Sequence, residues 1–256
     1  MGTTKSVWEN GVYTQYDSTT FERRPIGPLA LYEDDFLTGS VVIPAAGAAE
    51  SGCEWVKKIT GAGPPTVAVL TGAASAVGAG GVLRCALTAT DEKQEGGAYW
   101  NDQRPFTLNR GLIFEARINP AVLPTGTGEM WIGLGGAYVE GTILTDGPAE
   151  HALFVMDGSG AIVIYTDDTS TDNDGVATGV TLTAGTYAIL RIDATDPASV
   201  KFYINGARVA GSTTFVMSAV TTLHLQPYVW CHKESGTGLG TLDADYVRIW
   251  QKRAAV

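Results

Sequence analysis

Cysteine is scarce in this chain: Cys53, Cys85 and Cys231 are the only three among 256 residues. Three widely spaced thiols exclude a disulfide framework, and no Cys-x-x-Cys pair is present to build a zinc knuckle. They read as small apolar residues of a chain made in a reducing compartment. Positive charge is also short, with 17 Lys and Arg against 27 Asp and Glu and a formal net charge of −10. Such a surface cannot hold phosphates by counterion release, so no nucleic-acid partner is expected. No apolar run approaches the roughly 18 residues that would cross a bilayer, and no membrane partner is expected either. The opening Met1-Gly2-Thr3-Thr4-Lys5 leads into polar sequence, which gives classical secretion no support.

Glycine, in contrast, is abundant: 32 of 256 residues, well above the usual share of about 7%. No Gly-x-y period accompanies it, so the excess belongs to turns. Short alternating runs fill the spaces between those turns. Gly111 to Asn119 sets Leu112, Phe114, Ala116 and Ile118 on one face and Glu115 and Arg117 on the other, the pattern of a half-buried strand. The same pattern marks 81–90, 130–139, 161–166, 186–194, 200–205, 221–230 and 242–251, and a short strand is expected at 66–70. Asn205-Gly206 supplies the two positive-φ residues of a type I′ turn, and Asp157-Gly158-Ser159-Gly160 separates two further apolar runs. Many short strands without helical periodicity make a two-sheet antiparallel sandwich the simplest solution.

The first 29 residues mix aromatics with chain breakers and have no sustained period, which reads as an extended arm. Trp8, Tyr13, Tyr16 and Phe21 are too apolar for a purely solvated tail. The expected division is an arm over 1–29, a sandwich over 30–253 and a short tail over 254–256.

Ala30 to Phe36 and Leu242 to Gln251 resemble the first and last strands of concanavalin A-like jelly rolls, which lie side by side. Thr186 to Asp193 followed by Ser199 to Val209, with its Asn-Gly turn, resembles a hairpin of the laminin-G and glucanase type. The succession Gly96 to Asn101, Gly111 to Asn119, Glu129 to Gly135, the Asp157 hairpin, Thr186 to Val209 and Asp243 to Gln251 is similar to jelly-roll proteins of tailed phages. Those are auxiliary virion proteins, some of which decorate the capsid exterior. The resemblance implies an all-β jelly roll without enzymatic activity, made in the host cytoplasm and bound to the phage major capsid protein. It also implies a homo-oligomer, with a trimer as the expectation. Trp8, Tyr13, Tyr16, Phe21, Arg23 and Arg24 would contact the coat or a sister subunit by ordering on docking.

Glucanases of this fold place two carboxylates on one strand in a Glu-x-Asp-x-Glu spacing. That spacing is absent; Glu129-Met-Trp-Ile-Gly133 offers one acid followed by Trp131 and Gly133 on its face. No Gly-x-Ser-x-Gly elbow or His-Glu-x-x-His helix occurs. No catalytic residue is therefore assigned. The alternative is a lectin-like module in which His224, Tyr228 and Trp230, on the polar face of 222–230, join Trp131 to stack on sugar rings. Packing is the weightier role for tryptophans in a sandwich of this size. Asp168, Asp172 and Asp174 sit in the densest acidic run and are candidate calcium ligands, although such runs are commonly solvated loops. No other cofactor is expected.

Overall fold

The computed structural model describes residues 4–9, 12–17, 23–26, 29–36, 55–70, 81–140, 148–219 and 224–252. Three antiparallel strands open the chain: β1 (Thr4–Glu9), β2 (Val12–Asp17) and β3 (Arg23–Ile26), paired in that order. The sequence alone implied an extended arm here without resolving its strands, because runs of four to six residues are too short to establish a period.

Two eight-stranded antiparallel sheets follow. Sheet I runs β17 (Ala207–Val209), β16 (Lys201–Ile204), β15 (Ala188–Ala194), β10 (Leu112–Val122), β19 (Thr241–Lys252), β7 (Val82–Ala86) and β6 (Thr66–Leu70). β4 (Leu29–Asp34) also joins β19, pairing with its second half while β7 pairs with its first. The first and last strands of the sandwich thus lie side by side, as the jelly-roll resemblance implied. Sheet II runs β14 (Asp172–Thr181), β13 (Ala161–Asp168), β12 (Glu150–Met156), β11 (Gly128–Gly135), β18 (His224–Lys233), β8 (Gln94–Tyr99) and β5 (Val56–Thr60), with β9 (Phe106–Thr107) also on β18. Among the described residues the only helical turn is 3₁₀, at Leu108–Arg110.

Alternation decides what lies between the sheets. Leu112, Phe114, Ala116 and Ile118 of β10 meet Met130, Ile132, Phe154, Ile164 and Val229 of sheet II in one continuous core. Cys85 and Cys231 belong to it and are not joined by a disulfide, which fits their reading as small apolar residues; Cys53 lies outside the described residues. Burial lifts the Cys231 thiol to about 12, so it stays protonated and inert. Asn205 and Gly206 have φ of 49° and 78°, the left-handed pair that closes the β16–β17 hairpin. β14 was not anticipated. Its polar, alternately exposed sequence is that of an edge strand, and it pairs on one side only, with β13.

Candidate functional site

The face of sheet II turned away from the core carries a second apolar cluster, and strand register builds it in rows. Trp131 on β11 stands opposite Trp230 on β18, which stands opposite Gly97 on β8. Gly133 stands opposite Tyr228, and Tyr99 opposite Val56. Glu129 stands opposite His232, which stands opposite Glu95. Residues on adjoining strands at one register level share a face, so aromatics and polar groups meet here although they lie far apart in sequence.

The two tryptophan rings are nearly parallel, 6.4 Å apart with 10° between planes, and Trp131 also stacks on His232 at 5.4 Å. Trp230 is wholly buried, and Trp131 and Tyr228 are only 3% and 2% exposed. The open polar face expected from 222–230 is thus not found. Of the four proposed glycan-stacking residues only His224 is exposed. The alternation was right, but these rings pack on one another and on Tyr138. Trp100 belongs to the core, beside Tyr32 and Phe106.

Tyr138 comes from the segment that follows β11. Its ring centroid lies 5.4 Å from that of Trp230 and 5.4 Å from that of Tyr99. Its hydroxyl donates to Glu95 Oε2 at 2.5 Å, and its backbone N–H donates to Asp102 Oδ1 at 2.7 Å. The Lys58 ammonium stands 5.3 Å from the ring. Gln226 secures the segment's start by donating to Gly136 O at 2.7 Å, and the Tyr228 hydroxyl donates to the same oxygen. Burial, then the bond to Glu95, pushes the Tyr138 phenol far above its ordinary range, so it remains a donor at every physiological pH.

The polar row brings together two carboxylates and an imidazole that the sequence kept apart. Glu129 and Glu95 stand two strands from one another, about 9–10 Å at backbone level, with His232 between them. Glu129 accepts from the Trp131 indole N–H at 3.1 Å, and burial raises its pKa. Burial lowers His232 to about 4, aided by the Lys93 charge, so its ring is neutral at pH 7. Neither ring nitrogen has a hydrogen-bond partner; Nε2 lies 3.5 Å from Glu234 Oε2. Glu95 reaches this row from another strand, and His232, two residues past Trp230 on the same face of β18, lies beyond the 221–230 run that the sequence marked, so neither was assigned.

The calcium expectation is not met. Asp168 is fully buried and uses its carboxylate to hold backbone: Oδ1 accepts from Ser170 and Thr171 N–H, and Oδ2 from Ala219 N–H at 2.8 Å. Asp172 and Asp174 are exposed on β14. Among the described residues no three His, Cys, Asp or Glu side chains converge as metal ligands. At the N-terminus, Trp8 stands opposite Tyr13, Tyr13 opposite Ile26, Tyr16 opposite Arg23 and Gln15 opposite Arg24. Phe21 lies outside the described residues.

No protein-family model and no curated protein matches the sequence. Solved structures do match in shape. A Shewanella oneidensis MR-1 protein of unknown function aligns with a TM-score of 0.56 at 13% identity, over 93% of this chain and 94% of that one. A β-1,3-glucanase from Mycobacterium marinum aligns at 0.51 and 17% identity, over 88% and 99%. The carbohydrate recognition domain of Emp47p aligns at 0.51 and 10% identity, over 82% and 95%. The fold is a concanavalin A-like jelly roll. At these identities the likeness concerns fold alone. On this jelly roll, the position two residues after Glu129 holds Trp131 and the next on that face holds Gly133, so β11 carries a single acid.

Proposed function

We propose that this chain is a non-catalytic jelly roll that serves as an auxiliary structural protein of a tailed-phage particle, docking on the assembled coat through its N-terminal strands. The observation that carries this reading is the β1–β2–β3 meander, which among the described residues pairs with no strand of either sandwich sheet. A unit spanning residues 4–26 is well below the roughly 40 residues at which a chain can enclose a core unaided. Its register sets Trp8 opposite Tyr13 and Tyr13 opposite Ile26, and a coat subunit or sister copy is the surface on which it would dock. Repetition over equivalent lattice sites converts modest single-site affinity into stable occupancy. A trimer at a lattice axis suits this arrangement.

Co-sedimentation with capsids that lack the protein tests the proposal, comparing the full chain with one beginning at Leu29. Saturable binding that requires residues 1–28 is the expected result. Equal binding by both chains would remove the meander from the mechanism. Glycan or ester turnover abolished by Glu129→Gln would overturn the non-catalytic assignment.

A second reading, compatible with the first, is carbohydrate binding on the outward face of sheet II. It is favoured by the way a phenol ring and its hydroxyl are received there, by Trp230 and Tyr99 beneath and Glu95 at the edge. Rings with one apolar face and a polar rim are what such a surface fits. The shared fold of a carbohydrate recognition domain and a β-1,3-glucanase is consistent with it. Binding on a glycan array, lost on Trp230→Ala, is the expected outcome.

A further inference from the structure

We infer that Tyr138 is a built-in plug of a pyranose-sized subsite, and that its withdrawal opens a binding site for a neutral sugar ring. This inference rests on the carbohydrate-binding reading and names its subsite and its control.

Four observations converge. Tyr138 lies over Trp230, a side chain with no exposed surface, and over Tyr99, with both ring centroids 5.4 Å away. Its hydroxyl donates to the carboxylate of Glu95, which is 1% exposed. Its ring and hydroxyl thus touch both the aromatic floor and that carboxylate. Finally, Gly97 makes room for the indole of the floor: it stands opposite Trp230, and a Cβ there would overlap the ring.

A pyranose reproduces what Tyr138 supplies. It is a six-membered ring of similar breadth, its axial C–H face packs on indole, and an equatorial hydroxyl donates to a carboxylate. A sugar hydroxyl can take the phenol's place as donor to Glu95, so a hydroxylated ring is preferred over an apolar one. A charged acid sugar is disfavoured by Glu95 itself. The tether is short and polar, through Tyr138 N–H to Asp102 and Gln226 to Gly136 O, so the ring can leave while the segment's start stays anchored. Lys58, above the ring, then faces the incoming sugar.

Plugging taxes affinity by the fraction of molecules that are open. Affinity electrophoresis and calorimetry with soluble laminarin, yeast mannan and galactan read this tax, comparing the full-length protein with Tyr138→Ala. The expected result is Kd lower by about tenfold or more in the variant for at least one polymer, and its loss again in Tyr138→Ala/Trp230→Ala. Equal binding by the natural chain and Tyr138→Ala would overturn the plug while leaving carbohydrate binding intact. No binding by either would overturn both. Should Tyr138→Ala fail to fold by circular dichroism, Tyr138→Phe decides. It retains the ring and removes only the Glu95 bond: a gain in affinity supports the plug, and no gain overturns it.

Discussion

Gly97 and Trp230 are locked together by shape: the indole rests so close to the glycine that an added Cβ would overlap its six-membered ring. The pair stands in register across β8 and β18, and Trp131 closes the stack from the other side. Gly97→Ala forces the indole out of this slot. Such overpacking costs about 1–3 kcal/mol. Urea unfolding followed by Trp fluorescence is expected to show a lower midpoint with an unchanged m-value.

Asp168 is a structural carboxylate. It satisfies three backbone N–H groups, at Ser170, Thr171 and Ala219, and so ties the β13–β14 turn to the chain beyond Met217. Asp168→Ala leaves those donors without their acceptor at a buried position, at a cost of about 2–3 kcal/mol. The thermal midpoint of the natural protein is expected to be the same with calcium and with a chelator. A calcium-dependent rise would return the acidic run to the metal reading.

His232 makes stability depend on pH with a definite sign. Its pKa falls from 6.5 in the unfolded chain to about 4 in the fold, so the native state binds fewer protons between those values. The stability this histidine confers is complete above pH 6.5, declines as pH falls toward 4 and is gone below it. The drop corresponds to about 3 kcal/mol at 1.36 kcal/mol per unit. Chemical denaturation from pH 7.5 to 4 should show this slope, and His232→Gln should flatten it. Glu129, raised by burial, contributes the opposite slope at its own titration.

Lys233 is buried to its tip, and its ammonium donates to Thr88 O at 2.7 Å, Thr90 O at 2.6 Å and Gly238 O at 3.2 Å. One side chain thereby holds two loops at the same end of the sandwich. Lys233→Met keeps the stem and removes the clamp, with an expected loss of about 2 kcal/mol. Hydrogen exchange should accelerate at Leu87–Glu92 and Glu234–Gly240 before the strands respond.

Much of the sandwich was legible because its signals are local. Alternation marked β10, β13, β15, β16 and β19, Asn205-Gly206 marked its hairpin, and 66–70 appeared as a strand. β14 escaped because an edge strand needs only one apolar flank, and its acids matched the habits of a loop. β1 to β3 escaped because each is too short for a period to stand out.

The candidate site was half legible. The residues of one strand can be assigned to faces by counting, so Tyr228 and Trp230 were placed together before any fold was known, whereas Trp131 joined them only as a candidate from a neighbouring strand. Whether that face meets water is decided by what lies over it, and Tyr138 and Glu95 reach it from another loop and another strand. The sequence by itself determined that this chain is an all-β sandwich, because side-chain period and turn chemistry act over a few residues. Only the tertiary structure decided that its aromatic face is closed, since register and cross-strand neighbours are set by pairings such as Trp131 with Trp230, far apart in sequence.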